Sequence, residues 1–312
     1  MTRPTVLVYH TDPKYAALVR APRGRVVVRA AATPSEAEPL AAEIDVLYAW
    51  QFPRHLLAKA GRLRWLQVMG AGVDWALVPE LPPRVVVTRA PGVFGPWMAE
   101  YVVGWCSWVT QRMATYLEAQ RQRRWIDHIL PDRLLGKTLT IVGFGDIGRT
   151  VARAARALGM RVLGVSRSGR PSREADRVYR MGALRAALRQ ADFVVVLLPL
   201  TPQTRGLIGP DAFDAMKPTA WLLNIARGAV VNEPALIDAL RDHRIAGAIL
   251  DVFAIEPLPP YHSLWGLDNV VITPHISGPS TPEEIAPVFN DNLARWLAGH
   301  PLRHVVDRKA GY

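Results

Sequence analysis

A glycine triplet, Gly143-x-Gly145-x-x-Gly148, limits the fold of this 312-residue chain more than any other feature. It stands between an apolar run, Leu139–Val142, and a segment with helical patterning, Thr150–Leu158. Gly143 permits a tight turn, Gly145 lets a ligand approach the backbone, and Gly148 lets the helix pack close to the strand. Free N–H groups at the start of a helix favour an anion, so this context predicts a site for the pyrophosphate of a dinucleotide.

Short β-rich runs alternate with helical stretches on both sides of this motif. The predicted strands are Val6–Tyr9, Arg25–Arg29, Asp45–Tyr48, Leu66–Val68 and Val85–Val87 in a first series, and Leu139–Val142, Val162–Val165, Phe193–Leu198, Ala220–Asn224, Ala248–Leu250 and Val270–Thr273 in a second. Long helices are predicted from Trp97 to about Glu118 and from Thr281 to Leu297. The alternation indicates an α/β protein with two doubly wound parallel sheets.

The end of the strand after the glycine motif indicates which dinucleotide binds. Enzymes that use NAD usually carry a carboxylate there, whereas this chain has Ser166-Arg167-Ser168. Arg and Ser side chains bind a 2′-phosphate that a carboxylate would repel, which predicts NADP(H) in preference to NAD(H). Five further arginines of the segment 161–189 are interpreted as a solvated helix face: Arg173, Arg177, Arg180, Arg185 and Arg189.

The chain is strongly basic, with a formal charge of +11 at pH 7, and 33 of its 38 basic residues are Arg. No basic helix interleaved with aromatic residues is present, which argues against nucleic acid. The longest apolar run, Phe193–Leu200, is too short for a membrane span, and the N-terminal apolar stretch is too short for a signal peptide. Cys106 is the only cysteine, so we expect no disulfide, no metal site and a cytoplasmic location. Small anionic ligands remain as the partners that this charge predicts.

Three further blocks follow the glycine motif in a fixed order: Leu223–Gly228, Leu250–Pro257 and Ile272–Ser277. Together with Gly70-Ala71-Gly72-Val73-Asp74, they resemble the D-isomer-specific 2-hydroxyacid dehydrogenases, and within that family the NADPH-dependent glyoxylate/hydroxypyruvate reductases. The resemblance implies a Rossmann cofactor domain, residues 101–281, inserted into a flavodoxin-like substrate domain, residues 1–100 and 282–312. It also implies reduction of a small 2-oxo acid by hydride transfer from NADPH, and a homodimer.

The resemblance assigns a role to each residue type. His275 would be the general acid, Glu256 would favour and orient its protonated imidazole, and Arg227 would bind and polarise the substrate. The N–H groups of Ala71-Gly72-Val73 would hold the substrate carboxylate, and Asp251 would accept from the nicotinamide carboxamide. The predicted cofactor-binding residues are Gly143, Gly145, Asp146, Ile147, Gly148, Ser166, Arg167, Ser168, Leu198, Pro199, Thr204, Ile225, Ala226, Asp251 and His275; the predicted substrate-binding residues are Trp50, Ala71, Gly72, Val73, Arg227 and His275.

Several of these assignments have a structural alternative. Trp50 could wall the substrate pocket or pack in the core, Trp97 and Met98 could line the pocket or fill a domain boundary, and Trp125 could reach a partner subunit. Two alternatives to the function stay open: a family member that acts on a larger 2-oxo acid, and a non-catalytic NADP(H)-sensing protein on the same fold.

Overall fold

The computed structural model describes residues 3–22 and 24–312, which divide into two compact units. Met1–Val93 and Ser280–Tyr312 form the first unit, and Phe94–Pro279 forms the second. The first boundary therefore precedes the predicted residue 100, because a helix that begins at Phe94 packs within the second unit. The second boundary lies at Pro279 rather than at residue 281, since Thr281 caps the C-terminal helix of the first unit.

The first unit is built on a five-stranded parallel sheet. Its strands are β1 (Thr5–Tyr9), β2 (Val27–Ala31), β3 (Val46–Ala49), β4 (Trp65–Val68) and β5 (Val86–Thr88), in the order β2-β1-β3-β4-β5. This order is that of flavodoxin-like folds. Its helices are α1 (Lys14–Ala17), α2 (Pro34–Ala37), α3 (Arg54–Lys59) and the C-terminal helix Pro282–Leu297, with a 3-10 helix at Glu38–Glu43.

The C-terminal helix is held to the first unit by aromatic stacking. The ring of Phe289 lies parallel to Tyr48 at 4.1 Å between centroids and stacks on Trp65 at 5.3 Å. All three side chains are fully buried. Burial of large aromatic rings contributes strongly to stability, so both ends of the chain build one core.

The second unit contains a seven-stranded parallel sheet. Its strands are β6 (Thr138–Val142), β7 (Arg161–Ser166), β8 (Arg177–Arg180), β9 (Phe193–Val196), β10 (Trp221–Asn224), β11 (Gly247–Leu250) and β12 (Val270–Ile272), in the order β12-β11-β10-β9-β6-β7-β8. Its helices are α4 (Phe94–Thr110), α5 (Met113–Arg121), α6 (Asp146–Ala157), α7 (Leu184–Leu188), α8 (Pro210–Ala215) and α9 (Glu233–Arg241), with 3-10 helices at Met181–Ala183, Gly228–Val230 and Ser263–Gly266. The strand order reverses between β6 and β9, which is the switch point where doubly wound sheets bind dinucleotides. The predicted fold class is confirmed.

Two elements differ from the sequence prediction. The long helix predicted from Trp97 to Glu118 is two helices, because Arg112 adopts a left-handed backbone (φ 54°) that ends α4 before α5 begins. Arg173 lies in a turn, and Arg177 and Arg180 belong to the edge strand β8, so the prediction that these three lie on a helix face is wrong. All three are exposed, as expected. The β-branched Val178 and the aromatic Tyr179 are the local signal for this strand.

Among the residues that the structure describes, no helix combines the length and the apolar character needed to cross a bilayer. Across the same residues, no three His, Cys, Asp or Glu side chains converge as the ligands of a metal ion would. The cytoplasmic location stays a prediction.

Candidate active site

Arg227, Glu256 and His275 lie in three loops at one edge of the seven-stranded sheet. Arg227 follows β10, Glu256 follows β11 and His275 follows β12, and these three strands are parallel neighbours. The carboxyl ends of parallel strands meet at the same edge of a sheet, where α/β proteins bind their ligands. The topology therefore places the three predicted catalytic residues on adjacent loops.

His275 and Glu256 form a direct pair. The imidazole Nδ1 lies 2.8 Å from Glu256 Oε2, and the other carboxylate oxygen, Oε1, accepts from the backbone N–H of Phe253 at 2.9 Å. An ionised carboxylate only accepts, so Nδ1 carries the hydrogen and Nε2 is left to exchange a proton with a ligand. The side chains are 48% and 36% exposed, so a ligand can reach the pair.

The turn that carries His275 is organised by Asp251, whose side chain is fully buried. Asp251 Oδ1 accepts from Thr273 Oγ1 at 2.6 Å and from Ile276 N at 2.8 Å, and Oδ2 accepts from Ser277 N at 2.9 Å. The Asp251 carbonyl accepts from His275 N at 2.8 Å. Asp251 therefore fixes the loop of the candidate acid, while its contact with a nicotinamide stays a prediction.

The loop of Arg227 is set by two neighbours. The buried Asn224 donates its side-chain amide to the Arg227 carbonyl at 3.2 Å and accepts from Ala226 N at 3.3 Å. A Cβ on Gly228 would lie 1.9 Å from the carbonyl carbon of Phe253, so only glycine lets this loop pack against the loop of Glu256. The guanidinium of Arg227 donates to the Ala226 carbonyl at 2.8 Å and is partly exposed.

The glycine motif forms a close-packed turn between β6 and α6. Gly143 has φ 106°, and a Cβ there would lie 2.6 Å from the Leu197 carbonyl. A Cβ on Gly148 would lie 2.9 Å from the Gly143 carbonyl oxygen. Gly145 is different, because a Cβ there would meet nothing within 4 Å and would project into the open space before α6. Gly145 is the N-cap of α6, and the absence of a side chain there leaves the N–H groups of Asp146 and Ile147 at the first turn of α6 open to a ligand. Their contact with the phosphates of a dinucleotide stays a prediction.

The end of β7 forms a small polar loop. Ser166 Oγ accepts from Gly169 N at 3.1 Å, and Ser168 Oγ accepts from Arg170 N at 3.3 Å. Arg167 and Ser168 are exposed. The acids that follow this loop are engaged by other arginines, since Glu174 pairs with Arg173 and Arg153, and Asp176 pairs with Arg156.

The remaining predicted cofactor residues lie in the loops after β9 and β10. Thr204 Oγ1 donates to the Pro199 carbonyl at 2.6 Å and accepts from Thr201 N at 2.8 Å, so Thr204 shapes its own loop. Leu198 and Ile225 are buried and Ala226 is half-buried. Their contact with a cofactor stays a prediction.

The predicted substrate residues of the first unit lie at the carboxyl end of its sheet. Trp50 follows β3, and its indole N–H lies 3.5 Å from the Tyr15 hydroxyl. A Cβ on Gly70 would lie 2.8 Å from the Trp50 ring, so this tryptophan packs on the glycine turn that follows β4. Ala71 and Gly72 of that turn are half-buried, and the Val73 side chain is buried, which leaves Val73 only its backbone to offer a ligand.

Three residues with open alternatives have distinct environments. The buried Met98 packs against Gly278, since a Cβ there would lie 3.1 Å from the Met98 Cγ. Trp97 is 39% exposed, and Trp125, which follows α5, is 93% exposed. Such a fully exposed tryptophan contributes nothing to the core of its own chain.

Sequence reasoning missed Tyr101 and gave no role to Thr273. The Tyr101 hydroxyl lies 2.7 Å from Thr273 Oγ1, which in turn bonds Asp251. The family-like block Thr273-Pro274-His275 marks Thr273, but Tyr101 stands in an apolar helix where the sequence offers no polar signal.

Comparison with known proteins agrees with this fold. The family model described as D-isomer specific 2-hydroxyacid dehydrogenase, NAD binding domain, matches residues 105–277. A glyoxylate reductase of Aeropyrum pernix is 36% identical over 287 residues, which cover 86% of this chain and 84% of that protein. A glyoxylate/hydroxypyruvate reductase A of Serratia proteamaculans is 34% identical over 278 residues, which cover 86% and 88% of the two chains.

The fold of this chain is also similar to that of a solved reductase structure. The NADPH-dependent glyoxylate/hydroxypyruvate reductase of Sinorhizobium meliloti, in complex with NADP and sulfate, superposes with a TM-score of 0.90 at 31% identity, covering 100% of each chain. The fold and the loops at its sheet edge thus define a dinucleotide-binding protein of the dehydrogenase class. The chain belongs to the D-isomer specific 2-hydroxyacid dehydrogenase family.

Proposed function

We propose that this chain reduces a small 2-oxo acid of the glyoxylate/hydroxypyruvate type, with NADPH as the reductant. The observation that carries the proposal is the 2.8 Å pair of His275 Nδ1 and Glu256 Oε2 on the loop next to that of Arg227. Relatives named glyoxylate reductase and glyoxylate/hydroxypyruvate reductase, at 36% and 34% identity, support this substrate class.

His275, Glu256 and Arg227 have different roles in the proposed reduction. Bound NADPH would supply the hydride that adds to the carbonyl carbon. His275 Nε2 then gives a proton to the carbonyl oxygen, which completes the 2-hydroxy acid, and Glu256 stabilises the cationic imidazole before the transfer. Arg227 holds the substrate carboxylate, and its planar guanidinium draws electron density from the carbonyl.

The preference for NADPH rests on the loop after β7. Arg167 and Ser168 are exposed at the end of the strand where a dinucleotide ribose binds, and the nearby acids Glu174 and Asp176 are paired with arginines. A 2′-phosphate would meet a guanidinium and hydroxyl groups there, without carboxylate repulsion. The Sinorhizobium meliloti reductase, whose complex contains NADP, supports this assignment by likeness.

We also propose that Trp50 and the N–H groups of the Ala71-Gly72-Val73 turn contact the substrate. Both lie at carboxyl ends of strands in the first unit, which is where such sheets bind ligands. The indole is fixed by its packing on Gly70, so it would limit the size of the substrate side chain.

We also propose a homodimer in which Trp125 contacts the partner. Trp125 is 93% exposed, and the neighbouring Leu130, Leu117 and Met113 are 75%, 51% and 43% exposed. Apolar side chains of this size grouped in one segment are typical of an interface. Sedimentation of wild type and Trp125→Ala at matched concentrations tests this, with Tyr261→Ala, which removes another 90% exposed ring, as the control. A wild-type monomer would contradict it.

The decisive assay for the function is NADPH oxidation at 340 nm with a panel of 2-oxo acids. We expect turnover with glyoxylate and hydroxypyruvate and weaker turnover with 2-oxoisovalerate and phenylpyruvate, because Trp50 restricts the side chain. Turnover of only the larger 2-oxo acids would contradict the glyoxylate/hydroxypyruvate class and favour a family member that acts on larger substrates. NADPH binding without turnover of any acid would favour a cofactor-sensing protein and contradict the proposal.

A further inference from the structure

A chain of hydrogen bonds connects helix α4 with the loop of the candidate acid. The Tyr101 hydroxyl lies 2.7 Å from Thr273 Oγ1, and Thr273 Oγ1 lies 2.6 Å from Asp251 Oδ1. We propose that Tyr101 and Thr273 are positioning residues that hold His275, through Asp251, in the geometry needed for proton transfer. This inference rests on the proposed function and adds two residues to its machinery.

The direction of the chain follows from its chemistry. Asp251 accepts from Thr273 Oγ1 and from two backbone N–H groups, so it acts as a carboxylate and leaves Thr273 to donate its single hydroxyl hydrogen. Tyr101 must therefore donate to Thr273. Burial raises the pKa of Tyr101 to about 12, which keeps the phenol protonated and able to donate throughout the neutral range.

The backbone of the His275 turn explains why this support matters. His275 has φ 54°, a left-handed conformation that is unfavourable for a residue with a Cβ. The turn is held in that form by the His275 N–H bond to the Asp251 carbonyl, and by the bonds of Ile276 N and Ser277 N to the Asp251 carboxylate. If the Asp251 carboxylate lost its bond to Thr273 and rotated, its bonds to Ile276 N and Ser277 N would break.

Tyr101 connects this turn to a second element. It stands on α4, whose Trp105 ring packs edge-on against it at 6.0 Å, and whose Met98 packs against Gly278 beyond the turn. The loop of His275 is therefore fastened to α4 at both Thr273 and Gly278. A shift of α4 would alter the turn that presents the imidazole.

The test uses Thr273→Val and Tyr101→Phe, each of which removes one hydroxyl while keeping shape. Loss of a hydrogen bond to a charged group costs about 1.5–3 kcal/mol, so we expect kcat to fall at least about tenfold in Thr273→Val, with a smaller loss in Tyr101→Phe. The KM for the 2-oxo acid should stay within about twofold of wild type, and the Kd for NADPH, which the predicted contact of Asp251 would affect, should change less than kcat. Thr273→Ser should restore kcat, since serine keeps the donor.

Tyr179→Phe is the matched control, because it also removes one tyrosine hydroxyl with a single side-chain hydrogen bond, in which Tyr179 accepts from Gln190 at 2.9 Å, outside this network. It should leave kcat unchanged. A kcat for Thr273→Val within twofold of wild type, or a loss that appears only in the Kd for NADPH, would overturn the proposal.

A second measurement does not depend on turnover. The imidazole NMR signals of His275, identified from their absence in His275→Asn, should shift in Thr273→Val and stay in place in Tyr179→Phe. Unmoved His275 signals in Thr273→Val would overturn the positioning role. If the signals shift but the wild-type protein reduces no 2-oxo acid, the positioning role stands and only the proposed function is rejected.

Discussion

Glu256 holds two partners at once: its Oε2 lies 2.8 Å from His275 Nδ1, and its Oε1 accepts from Phe253 N at 2.9 Å. The second bond fixes the carboxylate plane, and the first fixes the imidazole. The ring nitrogen that faces away from Glu256 is therefore presented in one orientation, which a general acid requires.

Replacement of this carboxylate tests its charge separately from its hydrogen bond. Glu256→Gln keeps an oxygen that can accept from Nδ1 but removes the charge that stabilises the imidazolium. We expect kcat for the 2-oxo acid to fall by about 10²-fold with the cofactor Kd unchanged. Glu283→Gln, an exposed glutamate on the C-terminal helix, should keep wild-type activity. Equal rates for the two variants would remove Glu256 from the mechanism.

Arg167→Asp tests the cofactor preference. The substitution places a carboxylate where we expect the 2′-phosphate, so kcat/KM for NADPH should drop by about tenfold or more relative to NADH. Arg189→Asp changes the charge equally at another exposed arginine and should keep the wild-type ratio. If both variants keep that ratio, the phosphate contact lies elsewhere.

Gly228→Ala tests the packing between the loop of Arg227 and the loop of Glu256. A Cβ at 1.9 Å from the Phe253 carbonyl carbon forces the loops of Arg227 and Glu256 apart, and overpacking of this kind costs about 1–3 kcal/mol. We expect a lower melting temperature together with lost activity. Gly266→Ala is the control, since a Cβ there meets nothing within 4 Å. Similar melting temperatures for the two variants would contradict the packing argument.

Tyr101 provides a prediction for alkaline pH. Desolvation by burial raises its pKa from 10.0 to about 12, so the unfolded chain releases this proton first as the pH rises. The stabilisation from the buried phenol is complete below pH 10 and is lost between about pH 10 and 12. Denaturation followed across that range should show a steeper loss of stability in wild type than in Tyr101→Phe. Parallel curves would mean that the phenol titrates normally.

Much of the fold, and the placement of the candidate catalytic residues at strand ends, could be predicted because the signals are local. Parallel strands that are buried on both faces appear in the sequence as apolar runs. A side chain on Gly148 would meet Gly143, five positions earlier, and one on Gly143 would meet Leu197, just after the neighbouring strand β9. The predicted strands end shortly before Arg227, Glu256 and His275. Because these three strands are neighbours in the sheet, their carboxyl ends lie side by side.

The features that escaped prediction depend on tertiary context. Arg112 has a left-handed backbone that interrupts the predicted long helix, and no neighbouring glycine or proline indicates this break in the sequence. The short strand β8 lies at a sheet edge with exposed arginines, so it lacks the apolar run of a central strand. The bond of Tyr101 to Thr273 joins residues 172 positions apart, and a tyrosine in an apolar helix gives no sign of its partner.

The most direct test of the account is His275→Asn, because asparagine tolerates the left-handed backbone (φ 54°) and removes only the imidazole. His304→Asn, at a second left-handed histidine (φ 59°), is the matched control. With NADPH oxidation followed at 340 nm and cofactor binding by fluorescence, we predict that His275→Asn loses about 10²–10⁴-fold in kcat while it binds NADPH as wild type does. A His275→Asn protein that reduces glyoxylate or hydroxypyruvate at the rate of His304→Asn would contradict the assignment of His275 as the proton donor.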